Sequence, residues 1–276
     1  RRAWPPRQAC RMSGEAARAP GSARPARFGG HLTGGHRHGR AVFSCAVLFV
    51  LLALAHLTAL LVPAVSGASA EPVEYATKPA LMPALAAYAL LRGGPRPLVG
   101  ALLFGCGGDT LLQVGGEPAF LAGMASFAAG HVCYLVLFAR LGTNTAPRRT
   151  VALIAAGYAT AWLGTVALLW PGLAADMRGP VAAYSLLLTA MALAALRLGP
   201  WAGAGGALFL LSDTLIATGI ADWPQPPAPQ FWIMLTYGGA QLALTVGVLR
   251  ASGEAGAREV SGAGVPGPGR AARRGA

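Results

Sequence analysis

Apolar positions in this chain come in long blocks, not in the alternation of a strand or the narrow stripe of a soluble helix. Between Ala41 and Arg250 most of these blocks run for about 17–24 residues, enough to cross a bilayer as a helix. The pattern predicts an all-α fold: a polytopic membrane helical bundle of about eight transmembrane helices. The spans fall at roughly 41–64, 78–92, 97–115, 119–141, 149–170, 179–197, 201–219 and 231–250. The second is the shortest and contains Pro79 and Pro83. A membrane helix tolerates proline where its neighbours satisfy the freed backbone groups. Residues 1–40 and 251–276 are rich in Gly, Ala, Pro and Arg without periodicity, and are expected to be disordered tails around a 41–250 membrane domain.

Composition supports this division. The chain is 54% hydrophobic and 12% charged, against about 25% charged for a soluble domain. Its net charge of +12 does not imply nucleic acid, because the arginines sit in the tails and short loops and not on one folded face. With the N-terminus inside, all but two of the 22 Lys and Arg residues lie on inner segments. The exceptions are Lys78 and Arg178, while Glu71, Glu74, Glu117, Asp176 and Asp222 lie on outer connections. This asymmetry predicts that the N- and C-termini are both cytoplasmic. Lysine occurs once amid abundant Ala, Gly and Arg, as in GC-rich genomes, which points to a bacterial cell membrane.

Other sequence features add less. "SGASA" offers an Ala-x-Ala cleavage site at Ala68 and Ala70, but the first span is longer than the roughly 7–15 residues of a signal core. His31, His36 and His38 form a histidine-rich tract, best read as part of a solvated basic tail. Cys45, Cys106 and Cys133 lie in apolar runs without metal spacing, and no metal or cofactor is expected.

The chain repeats itself. "GGDTLLQVG" (Gly107–Gly115) aligns with "LSDTLIATG" (Leu211–Gly219), and "FAAGHVCYL" (Phe127–Leu135) aligns with "YGGAQLALT" (Tyr237–Thr245). Two parallel four-helix repeats would result, since four spans restore the chain direction.

The alignment sets Asp109 against Asp213. A carboxylate in a membrane helix costs roughly 2.5–3.5 kcal/mol to insert, so such residues tend to face the bundle interior and carry function. The alternative is a buried hydrogen bond that locks two helices together. Gln113 shares a face with Asp109 and is expected to satisfy its carboxyl. His131 and Tyr134 lie on one face of the fourth span, and Tyr237 and Gln241 on one face of the eighth. Each pair is open to a packing role or a site role. Tyr184 falls near the outer end of the sixth span, where an interfacial aromatic is equally natural. Lys78 opens the second span, either snorkelling to headgroups or holding a phosphate or an aspartate. The glycines before Asp109 and at the start of the seventh span allow close helix contact or leave room for a ligand. There is no phosphate loop, GxSxG or HExxH, so Ser212 has no support as a nucleophile.

Taken in order, "TKPALMPALAAYALL", "LLFGCGGDTLLQ", "FLAGMASFAAGHVCYLVLF", "LFLLSDTLIATG" and "LTYGGAQLALTVGVL" resemble the YhhN-like lysoplasmalogenase family over about residues 42–250. One departure is that the family often has Asn and Phe after the second Asp, where this chain has Thr218, Gly219 and Ile220. The resemblance implies an enzyme that cleaves the vinyl ether of a lysoplasmalogen-type lysophospholipid to a fatty aldehyde and a glycerophospho-alcohol. Membrane lipids would be its surroundings. That chemistry needs a general acid and a carboxylate. Asp109 and Asp213 are the candidates, with Lys78, His131, Tyr184, Tyr237 and Gln241 binding substrate or water. A proton-coupled transporter or lipid-binding membrane protein could use the same aspartates.

Overall fold

A computed structural model describes residues 32–143 and 147–263. Eight α-helices follow one another: α1 (Leu32–Ser66), α2 (Glu71–Leu91), α3 (Arg96–Val114), α4 (Glu117–Leu141), α5 (Arg148–Leu169), α6 (Ala175–Ala195), α7 (Pro200–Ile220) and α8 (Pro229–Ala263). Seven are long and apolar enough to cross a membrane; α2 is the exception. A proline stands in the first two positions of α2, α3, α4 and α7, where its missing N–H has no helical partner to lose. The outer faces are apolar: Phe43 is 70% and Leu153 74% exposed, as suits helices solvated by lipid. The protein is an integral, multi-pass membrane protein.

Three boundaries differ from expectation. α1 begins at Leu32 and α8 continues to Ala263, so helix extends past both expected domain limits, 40 and 251. The rest of the two expected tails, with Cys10 and His31, lies outside the described residues. α2 starts at Glu71, seven residues before the predicted span. Glu71 and Glu74 read as loop in the sequence, but acids in the first turn complement the helix dipole.

The hairpins α3–α4 and α7–α8 are the most extensively packed pairs. Missing Cβ atoms allow their approach. A Cβ on Gly205 would meet the Leu244 backbone at 2.8 Å. Elsewhere the halves differ. α1 packs along α2, with His56 Nδ1 2.8 Å from the Thr77 hydroxyl. α5 rests mainly on α6, and Leu169 is its one buried residue.

One proline of α2 is answered from α3. Pro83 has no N–H to give the Pro79 carbonyl, and the Cys106 thiol donates to that carbonyl at 3.3 Å. Gln113 donates to the Glu74 carbonyl at 3.3 Å. It braces α2 and does not satisfy Asp109, contrary to expectation. Its amide reaches across to the neighbouring helix, not along its own.

Candidate active site

Lys78, Asp109, Tyr184, Asp213 and Tyr237 line one cavity of about 280 Å³. It lies toward the end of the bundle where α3 and α7 finish and α2, α4, α6 and α8 begin. At 1.5 Å per residue, Asp109 stands about 8 Å below its helix end, and Asp213 and Lys78 about 10 Å below theirs. Lys78 is therefore level with the two carboxyls and not at the rim, as the early start of α2 requires. Leu112, Phe120, Met124, Ile216 and Ile233 are part of an otherwise mostly apolar wall, with Ser212 and Gln230 as further polar groups.

Each aspartate accepts from a tyrosine on another helix. The Tyr237 hydroxyl on α8 donates to Asp109 Oδ2 at 2.9 Å. The Tyr184 hydroxyl on α6 donates to Asp213 Oδ2 at 2.5 Å. Tyr184 thus sits within the bundle and is not an interfacial aromatic.

Behind each tyrosine stands a second donor. Gln241 Nε2 donates to the Tyr237 hydroxyl at 3.4 Å, and the Tyr134 hydroxyl donates to Gln241 Oε1 at 2.6 Å. His131 Nε2 lies 3.1 Å from the Tyr184 hydroxyl. Because Tyr184 gives its only proton to Asp213, His131 must carry its hydrogen on Nε2 to complete this bond. Two donor chains therefore converge on the carboxyls: Tyr134–Gln241–Tyr237–Asp109 and His131–Tyr184–Asp213. Such chains polarise in a low-dielectric interior.

His131 and Gln241 are buried and absent from the cavity wall. They hydrogen-bond to the tyrosines from behind that wall, a placement that the sequence reading of them as binding substrate or water did not include. The reason is depth: each lies more than a turn further from the cavity mouth than the tyrosine it serves. Tyr134, noted in sequence only for sharing a face with His131, belongs to the other donor chain.

Glycines shape this layer. A Cβ on Gly105 would lie 2.9 Å from the Tyr237 hydroxyl, and one on Gly108 would lie 2.5 Å from the Phe127 ring. The space beside Asp109 is filled by aromatic side chains. Ser212 donates its hydroxyl proton to the Ile233 carbonyl at 3.1 Å, a backbone acceptor that does not activate it as a nucleophile. Among the described residues no group of three or more His, Cys, Asp or Glu is placed to hold a metal ion.

Fold and site together define a class: a polytopic helical membrane protein with two carboxyls and a lysine in a single intramembrane cavity. Sequence comparison gives the family. The YhhN family's profile matches residues 73–248, and the chain belongs to that family. It is 37% identical over 153 residues to human (Homo sapiens) "Lysoplasmalogenase TMEM86B", covering 55% of this chain and 63% of that protein. It is 31% identical over 159 residues to a "Lysoplasmalogenase" of Mycobacterium tuberculosis, covering 55% of this chain and 60% of the relative. The chain thus spans less than two thirds of the length of the curated relatives it matches. No solved structure matches it.

Proposed function

We propose that this protein is a membrane hydrolase that cleaves the vinyl-ether bond of lysoplasmalogen-type lysophospholipids, releasing a fatty aldehyde and a glycerophospho-alcohol. The observation that carries the reading is the presence of Asp109, Asp213 and Lys78 on the wall of one cavity. The names of the relatives support the same activity.

In this reading one aspartate is protonated and the other ionised. The first gives its proton to the vinyl carbon remote from oxygen, leaving an oxocarbenium ion. Water adds to the adjacent carbon and gives a proton to the second aspartate, forming a hemiacetal. The roles then reverse. The second aspartate protonates the ether oxygen as the C–O bond breaks, and the first takes the hydroxyl proton as the aldehyde forms. Each carboxyl ends as it began, and the net reaction consumes one water. The tyrosines hold the carboxyls, and Lys78 receives the phosphate.

The basic helix ends lie opposite the cavity mouth, with Arg92, Arg96, Arg140, Arg148, Arg197 and Arg250 there. We accordingly orient both termini toward the cytoplasm and the cavity toward the outer side of a bacterial cell membrane. The test is to mix purified protein in detergent with a lysoplasmalogen and measure free aldehyde. Release supports hydrolysis. Binding without release in that single compartment would instead leave a carrier or lipid-binding protein.

A further inference from the structure

A second cavity, of about 190 Å³, lies between α5, α6 and α7. Val181, Tyr184, Asp213 and Ala217 line both it and the first cavity, so these four side chains form the partition. The two sides differ in chemistry. The first holds Lys78 and Asp109 in addition to Asp213. In the second, Asp213 is the one charged residue on the wall. Two of its hydroxyls are turned into the helices: Thr189 donates to the Ser185 carbonyl and Thr214 to the Leu210 carbonyl, each at 2.7 Å. Ser185 accepts from Trp162 Nε1 at 3.0 Å and donates to the Ala182 carbonyl. With those polar atoms satisfied, the crevice presents mostly methyl groups and rings, the Tyr158 and Thr165 hydroxyls apart. α5 forms its outer wall and is the helix held by fewest neighbours, lying against lipid.

We propose that the α5–α7 crevice binds the alkenyl chain of a single-chain ether lipid, entered sideways from the bilayer, while the headgroup occupies the first cavity. A single-chain lipid is itself divided into a charged half and an apolar half, joined at the ether. A site with a charged chamber and an apolar chamber aligns that junction with its partition. The partition carries Asp213, the carboxyl proposed above to act on the junction. This inference rests on the hydrolase reading for the reaction, but the binding of the chain can be read without turnover.

Two measurements test it. In the first, a lysophospholipid with a photoreactive diazirine at the chain terminus is irradiated with the purified protein in detergent. Labelled residues are then mapped with and without excess unlabelled lysophospholipid. Labels on Tyr158, Trp162, Thr165 or Leu210 that the competitor removes support the proposal; labels confined to positions the competitor does not affect overturn it. In the second, Ala161→Trp and Thr165→Trp fill the crevice from α5. Hydrolysis of a long-chain substrate is expected to fall by at least about tenfold while a short-chain analogue changes by less than about threefold. Equal loss on both substrates, without competed labelling, overturns the chain site and leaves hydrolysis standing. Competed labelling in a wild-type protein that releases no aldehyde supports the chain site and overturns the hydrolase reading.

Discussion

Gly105 and Tyr237 fit as socket and plug: a methyl group at Gly105 would lie 2.9 Å from the Tyr237 hydroxyl, the group that donates to Asp109. The phenol ring is rigid and buried, so the ring or the α3 backbone must shift, and either shift disturbs its bond to the carboxyl. Gly105→Ala is expected to lower kcat by about tenfold, equivalent to about 1.4 kcal/mol of barrier, with normal membrane insertion. Steady-state aldehyde release from purified protein checks this. Unchanged kcat would show that the Tyr237–Asp109 bond is dispensable.

Asp109→Asn and Asp213→Asn keep the size of each side chain and remove its ability to exchange a proton. Each is expected to reduce turnover by about 10²–10⁴-fold. The double variant should lose little more than either single one, because the two groups act as a unit. Full activity in either single variant would sink the acid–base assignment.

Tyr134 stands at the far end of its donor chain, away from the cavity. Tyr134→Phe leaves Gln241 Oε1 buried without its donor. The expected cost is about 1–3 kcal/mol of stability, with kcat reduced by less than about threefold. Thermal unfolding in detergent and kinetics on the same sample separate the two effects. A large fall in kcat at unchanged Tm would place Tyr134 nearer the chemistry than its position indicates.

The thiol of Cys106 stands in for the amide that Pro83 lacks. Cys106→Ala is expected to destabilise by about 0.5–1.5 kcal/mol, and Cys106→Ser to restore a donor. In a Pro83→Ala background the Pro79 carbonyl regains a helical N–H, and Cys106→Ala should become nearly neutral. Additive losses across this double-mutant cycle would refute the compensation.

Much of the architecture could be read from the sequence because charge is scarce. Asp109 and Asp213 stand out as acids in apolar helices, and arginine marks one set of helix ends. The donor chains were not readable in the same way. Tyr237 and Asp109 are 128 positions apart, and Tyr134 and Gln241 are 107 apart. Their pairing depends on which helix faces press together, a choice governed by small residues and shape that leaves no periodic signature. Lys78 stands out in sequence, but its depth does not, because the two glutamates that open α2 have the composition of a loop. His131 stands out in sequence for its chemistry, but its hydrogen bond to Tyr184, 53 positions away, is visible only in the fold.

The polarity of α2 bears on how the protein is made. It carries Glu71, Glu74 and Lys78 together with two internal prolines, and among the helices of the described residues it is the one not apolar enough by composition to cross a membrane. A segment of this kind gains too little from lipid to partition alone during synthesis. Its integration draws on its neighbours: α1, made before it, through the His56–Thr77 contact, and α3, made after it, through Cys106 and Gln113. Delivery of Lys78 to the cavity is then a step of assembly, and substitutions at those distant contacts would reduce the yield of inserted protein before they altered any rate.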